Sequence, residues 1–169
     1  MRKIVLVDKE DNAIGLKEKF AAHKIPVPLH RAISIVIFNK DKSQILITKR
    51  AKTKPTWPSV WSNAVCTHPY PDESYLKASK RRLYEELGFK TLLKEAFSFI
   101  YQAKMADGIW GENELDHTFV GNYEGRVSPN PSEVDGYEWI KTNDLKKDIK
   151  KNPKKYTPWF NIIMEKLED

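Results

Sequence analysis

One cysteine in 169 residues, Cys66, leaves no partner for an intramolecular disulfide. That excludes a cross-linked scaffold and favours a reducing, cytoplasmic setting. No apolar run approaches the ~20 residues of a membrane-spanning helix, so no membrane partner is expected. The opening Met1-Arg2-Lys3-Ile4-Val5-Leu6-Val7-Asp8 is too short, and charged too early, for a signal peptide, and it reads as a strand. No repeat or low-complexity tract is visible. What remains is an ordinary globular composition, 40% hydrophobic and 31% charged, in a chain of the size of one domain spanning residues 1–169. Such a chain buries roughly 70% of its unfolded surface, enough for a proper core. The net charge of +6 fits either a nucleic acid or a small polyanion such as a diphosphate. Much of the excess lies in the lysine-rich stretch 141–155, which also reads simply as a solvated helix and loop.

Punctuation and periodicity predict mixed elements. Ile4 to Val7 is strand-like, and a short helix is expected over Lys17 to His23, ended by Pro26 and Pro28. Ala32 to Phe38 is a continuous apolar run. With Ile45 to Lys49 it reads as a hairpin whose first strand is buried. Asp72 to Gly88 is a helix with Ser74 as N-cap, Leu76, Leu83 and Leu87 on its apolar face, and Gly88 as its left-handed stop. Strands are expected over Ala96 to Met105, Glu112 to Asn122 and Tyr137 to Ile140. A helix follows over Asn143 to Ile149. A terminal helix begins at Thr157-Pro158, with Thr157 as the capping hydroxyl, and runs to Leu167. Without strict βαβ alternation the class is α+β.

Chemistry-bearing residues cluster in this pattern. Glu112 and Glu114 lie two apart on a predicted strand and therefore share a face, which Asp116 continues. Side-by-side carboxylates repel unless a cation or a proton lies between them; a solvent-facing strand is the plainer alternative. His23, His30 and His68 sit in loops beside predicted strands, and imidazoles with carboxylates bind divalent transition metals. Their spacing matches no short metal motif. On the helix, Arg82 and Glu86 are four apart, either a surface ion pair or a cation and a metal-binding carboxylate aimed at one ligand. Arg50 and Lys54 flank a strand exit, a common place to meet phosphate.

Glu73, seven residues, then Arg81-Arg82-Leu83-Tyr84-Glu85-Glu86-Leu87-Gly88 resembles the Nudix box, with two departures. Thr67 stands where the box begins with Gly, and Arg82 stands where it has Glu. The exchange at Arg82 weakens a hydrolytic metal cluster and offers a bidentate grip on phosphate. It is also what type 1 isopentenyl-diphosphate isomerases show. Further segments look like that family: Lys19-Phe20-Ala21-Ala22-His23, Leu29-His30-Arg31-Ala32, Thr48-Lys49-Arg50-Ala51, Trp57 to Cys66, His68-Pro69, Gly111-Glu112-Asn113-Glu114 and Tyr156-Thr157-Pro158-Trp159.

The resemblance implies a Nudix-like mixed β-sheet core flanked by helices. It also implies interconversion of isopentenyl and dimethylallyl diphosphate, in isoprenoid biosynthesis, by protonation and deprotonation. It casts Cys66 and Glu114 as the proton-moving pair, with Tyr101 assisting. His23, His30, His68, Glu112 and Glu114 become ligands of a divalent metal (Mn²⁺, Zn²⁺ or Mg²⁺), and Glu86 a ligand of a Mg²⁺ that bridges the diphosphate. Lys19, Arg50, Lys54 and Arg82 lie near phosphate, and Trp159 faces the cation. The residue chemistry is compatible. A cysteine whose pKa is lowered by nearby cations serves as a base, and the faces of Trp159 and Trp61 suit a carbocation that must not be trapped. A β-branched Thr67 resists positive φ, so a different local turn is expected there. The partner implied is a small diphosphate, not nucleic acid. With no long apolar helix face left over, a monomer is expected. Two other readings compete: a Nudix hydrolase of nucleoside diphosphate derivatives, against which Arg82 argues, and a basic nucleic-acid-binding module, which gives Cys66 and Glu114 no role.

Overall fold

The computed structural model describes residues 2–167; Met1, at the start of the predicted first strand, lies outside the described residues. The strands are β1 (Lys3–Val7), β2 (Ala13–Glu18), β3 (His30–Phe38), β4 (Gln44–Arg50), β5 (Trp61–Ser62), β6 (Val65–Thr67), β7 (Leu93–Lys104), β8 (Gly111–Asn122) and β9 (Val134–Lys141). The helices are α1 (Lys19–Ala22), α2 (Tyr75–Leu87), α3 (Thr142–Lys151) and α4 (Pro158–Lys166), with a 3-10 turn at Pro153–Lys155. All nine strands join one mixed sheet.

β3 is its hub, and its sequence says why. The run from Ala32 to Ile37 is buried on both faces, as a central strand covered on both sides must be. Ile33, Ile35 and Ile37 pack with Ala78, Leu83 and Leu87 of α2. Val36 points the other way, into a second core with Ile45, Ile47, Leu145, Trp159, Phe160 and Ile163. Helices therefore cover both faces of the sheet.

The pairing of β3 changes along its length. It meets β4 only at Ile37↔Leu46 and Phe38↔Ile45. Over Ile33 to Ile35 its antiparallel neighbour is β6, while β8 runs parallel beside it throughout. β4 turns instead to β5 and β9. The predicted hairpin thus exists but splays open, and the segment carrying Cys66 fills the opening.

Several expectations need correction. The helix expected over Lys17 to His23 is shorter than expected: Lys17 and Glu18 end β2, and the helix is confined to Lys19–Ala22. Residues 13–18 pair with β1, and only the four residues of α1 are helical, capped by Glu18, whose side chain accepts from Ala21 N. So short a helix cannot stand alone in water, and pairing with β1 supplies more hydrogen bonds. β5 and β6 were not expected, being too short for any periodicity to register. α2 starts at Ser74 and stops at Gly88 (φ 75°) as predicted, but Leu76 is 39% exposed and does not belong to the apolar face. The lysine-rich stretch is α3 and the turn after it, anchored by Leu145 and Ile149, with Lys155 paired to Asp148 at 2.6 Å. No helix among the described residues is long and apolar enough to cross a membrane.

Because Leu83 is buried in the α2–sheet core and Leu76 is not, Leu83→Ala is expected to destabilise the fold by about 2–5 kcal/mol and Leu76→Ala by about 0.5 kcal/mol or less. Denaturant unfolding of the two variants checks this; equal losses would contradict the packing assigned to α2.

Candidate active site

Register brings the histidines and carboxylates together. His30 pairs with Glu114 across β3 and β8, and Glu114 pairs with Tyr101 across β8 and β7. Glu112, Glu114 and Asp116 share one face of β8, as the period of two requires, and all three are buried. His23 follows α1 and His68 follows β6. Ligand atoms of His23, His30, His68, Glu112 and Glu114 lie within 4.8 Å of one another, and the three imidazole centroids are 4.9–5.2 Å apart. The solvent-facing alternative for Glu112 and Glu114 is therefore wrong.

The donor set fits a divalent cation. The backbone carbonyls of Lys19 and Pro28 accept hydrogen bonds from Nδ1 of His23 (2.6 Å) and His30 (2.8 Å). A carbonyl can only accept, so Nδ1 carries the proton and Nε2 presents a lone pair. Those lone pairs face carboxylate oxygens: His23 Nε2 lies 3.1 Å from Glu112 Oε2, and His30 Nε2 lies 3.5 Å from Glu114 Oε1. His30 Nε2 and Glu112 Oε2 are buried without a hydrogen-bond partner. Lone pair against carboxylate repels unless positive charge sits between them. Protons supply it in part: burial opposes charge on His23, yet Glu112 lifts its pKa. Burial and the charge of Glu114 raise Glu112. Burial would raise Glu114 as well, but His30 and His68 hold it well below the usual carboxylate range. His68 Nε2 lies 3.0 Å from Glu114 Oε1, and the Tyr101 hydroxyl donates to Glu114 Oε2 at 2.5 Å.

A cleft opens over this cluster. Lys19, Arg50, Lys54, Arg82, Cys66, Trp159, Tyr101, His23, His68, Glu112 and Glu114 all line it. His30 lies beneath, fully buried. Glu86 borders a smaller chamber alongside, shared with Arg50, Lys54, Cys66 and Glu133. Trp61 lines neither; it packs in the second core, and Trp57 instead meets Trp159 edge to face at 5.4 Å.

Cys66 is held by its neighbours. Trp159 Nε1 donates to its sulfur at 2.8 Å, and the thiol donates to Asn63 Oδ1 at 3.0 Å. Ser62 Oγ lies 3.6 Å away. Thr157, expected to cap α4, makes no capping bond; its hydroxyl bonds Ser62 at 2.9 Å instead, behind the cysteine. The expected lowering of the Cys66 pKa is wrong. Burial pushes the thiol up to about 12, against the pull of Arg50. A cation close by does not offset loss of water around the sulfur.

The cations are mostly engaged. Arg50 donates through Nε and Nη2 to the carbonyls of Thr56 and Trp57 and lies 5.2 Å above the Trp159 ring. Lys54 pairs with Glu133. Arg82 pairs with Glu86 at 2.5 Å, with Glu85 at 2.9 Å and with Glu133 at 3.0 Å. The Arg82–Glu86 pair is buried, not on the surface. Among the described residues Lys19 has no carboxylate within ion-pair distance. Sequence reasoning missed Glu133, in the loop before β9, since no spacing marks it. Thr67 requires no unusual turn: it is the last residue of β6, paired with Ile33, and its hydroxyl accepts from Arg2 at 3.3 Å.

A mixed sheet between helices, with α2 carrying the box carboxylates Glu85 and Glu86, is the arrangement of a NUDIX domain, and the NUDIX domain family profile matches residues 28–160. A solved Deinococcus radiodurans protein superposes with TM-score 0.72 over 89% of this chain and 90% of its own, at 18% identity. A MutT protein from Methanosarcina mazei superposes with TM-score 0.67 over 83% and 94%, at 16% identity. Sequence carries the assignment further. "Isopentenyl-diphosphate Delta-isomerase 2" of Aromatoleum aromaticum is 40% identical over 98% of this chain and 86% of its own length. The isomerase of Serratia proteamaculans is 39% identical over 97% and 90%. The chain belongs to the isopentenyl-diphosphate Delta-isomerase family.

Lys19 generates a pH prediction. Burial, with repulsion from Arg2 and Lys54, brings its ammonium down to about 8. An anion bound beside it favours the protonated form, so that attraction is full below this pH and is lost above it. Affinity for inorganic pyrophosphate, measured by calorimetry, is expected to fall above pH ~8 by up to about tenfold per pH unit. Lys19→Met should flatten the fall; an unaltered profile would remove Lys19 from the anion site.

Proposed function

We propose that this chain interconverts isopentenyl and dimethylallyl diphosphate, one of the steps of isoprenoid biosynthesis, by moving a proton across three carbons. The observation carrying this reading is that Cys66 on β6 and Glu114 on β8 face one cleft, linked by Trp159, which donates to the sulfur, and Tyr101, which donates to the carboxylate. The reaction adds a proton at one end of an allylic unit and removes one at the other. It therefore needs two groups in opposite protonation states. The high thiol pKa and the depressed Glu114 pKa place the ligand-free pair in such a state, and the direction of turnover exchanges the two roles.

The chain's own residues supply the rest. Lys19, Arg50, Lys54 and Arg82 give the diphosphate end its positive charge, so binding energy from the anion can hold a small hydrocarbon against the reacting groups. Trp159, 2% exposed, offers an aromatic face to a developing tertiary cation and no atom that would trap it. The buried floor keeps water from the cation. When bound, a divalent ion (Mn²⁺, Zn²⁺ or Mg²⁺) at His23, His30, His68, Glu112 and Glu114 supplies charge that polarises the Glu114 carboxyl, and Mg²⁺ at Glu86 supplies charge against the diphosphate. A hydrolytic reading finds less support. The box carboxylates Glu73, Glu85 and Glu86 are each paired to Arg81 or Arg82, which leaves no open carboxylate cluster on α2.

Incubation with isopentenyl diphosphate and Mg²⁺ in deuterated water should place deuterium in the dimethylallyl product. Phosphate release without isomerised product would instead favour the hydrolase. Cys66→Ala should lower turnover by about 10²–10⁴-fold while pyrophosphate affinity stays near its original value; near-normal turnover would end the role of the thiol. Glu86→Gln should move the Mg²⁺ titration of activity to higher concentration, and an unmoved midpoint would exclude Glu86 as a ligand.

A further inference from the structure

Glu133 has no part in the proton shift, yet it sits among the groups meant to receive the anionic end of the substrate. Its Oε2 pairs with Lys54 and its Oε1 with Arg82 Nη2, so one carboxylate spans the two cations. The same Nη2 also meets Glu86. Its backbone is fixed as well: its carbonyl accepts from Ala51 N at 3.0 Å, and its N–H donates to Asn130 O at 3.0 Å. Lys54 and Arg82 hold this carboxyl ionised, down to about 2 despite partial burial. Glu86 and Glu133 thus both stand against Arg82, and Glu133 stands against Lys54 as well.

We propose that Glu133 makes capture of a diphosphate conditional on a divalent cation: it occupies Lys54 and Arg82 as a diphosphate would, so a free diphosphate meets cations that are already paired. A diphosphate that arrives with Mg²⁺ brings the missing positive charge and can share the site with both carboxylates. The residue therefore selects the magnesium complex over the free anion, and it also holds the two long cationic side chains in place before substrate arrives. This rests on reading the cleft as a diphosphate site.

Calorimetry with inorganic pyrophosphate, in Mg²⁺ and in a chelator, tests it on the intact chain. The original protein is expected to bind with Mg²⁺ and far more weakly without. Glu133→Gln, which keeps the shape and removes the charge, should tighten metal-free binding on the order of tenfold or more and change binding in Mg²⁺ much less, so the magnesium dependence shrinks. Glu85→Gln, which removes a more exposed partner of Arg82, should leave that dependence nearly as it was. Weaker metal-free binding in Glu133→Gln would show that Glu133 only orients the cations and would overturn the inference. So would an unchanged magnesium dependence, or an equal effect from Glu85→Gln. No pyrophosphate binding by the original protein under either condition would instead overturn the diphosphate reading itself.

Discussion

The cluster beneath the cleft depends on one constraint: two carboxylates, Glu112 and Glu114, are buried side by side on one face of β8. Like charges removed from water cannot stay ionised together without positive charge between them. Three imidazoles converge on the pair, His23 lifted against burial towards its charged form by Glu112 and His68 pushed well below its usual pKa by burial, and each comes from a different part of the chain. His23 follows α1, His30 opens β3, and His68 follows β6. The convergence therefore ties the N-terminal segment, the hub strand and the short strand bearing Cys66 to one point. Arg2 adds to the tie, donating to the His68 carbonyl at 2.7 Å.

From that point the cleft grades in character. At one end cations and carboxylates lie close together, with Arg82 touching three glutamates. At the other, Trp159, Tyr101 and the half-buried Cys66 present aromatic and sulfur surface. The gradient matches a molecule that is an anion at one end and a hydrocarbon at the other. Loss of water pushes the pKa of Cys66 and of Glu114 in the same direction, upwards, but the outcomes differ. At Cys66 it dominates and the proton stays on sulfur; at Glu114 the histidines outweigh it. Side chains facing one cavity are thus driven to different protonation states by their immediate partners.

Asp116 marks where the face of β8 changes use. It continues the row of acids, but two residues beyond Glu114 it lies behind Cys66, 1% exposed, and accepts from Ser34 at 2.7 Å. Burial first, and then the charge of Glu114, push its carboxyl up to about 8. It is outside the set of ligand atoms that converge on His23, His30 and His68. A shared strand face is therefore necessary for membership of the cluster, and not sufficient.

Much of this was legible in the sequence where the signal is local. The β3 run, the Ser74 and Gly88 ends of α2 and the shared face of Glu112 and Glu114 follow from periods and caps, which neighbouring residues set. The role of Leu76, the strand state of Lys17 and Glu18 and the non-capping Thr157 were misread, because pairing and packing with distant residues overrode local preference. The sequence by itself determined the donor types, their faces and the family. Only the tertiary structure decided that Glu133 pairs with both Lys54 and Arg82, that Arg82–Glu86 is buried, and that Cys66 keeps its proton. Those outcomes depend on charge, distance and exclusion of water among residues far apart in the chain, which spacing along the chain does not encode.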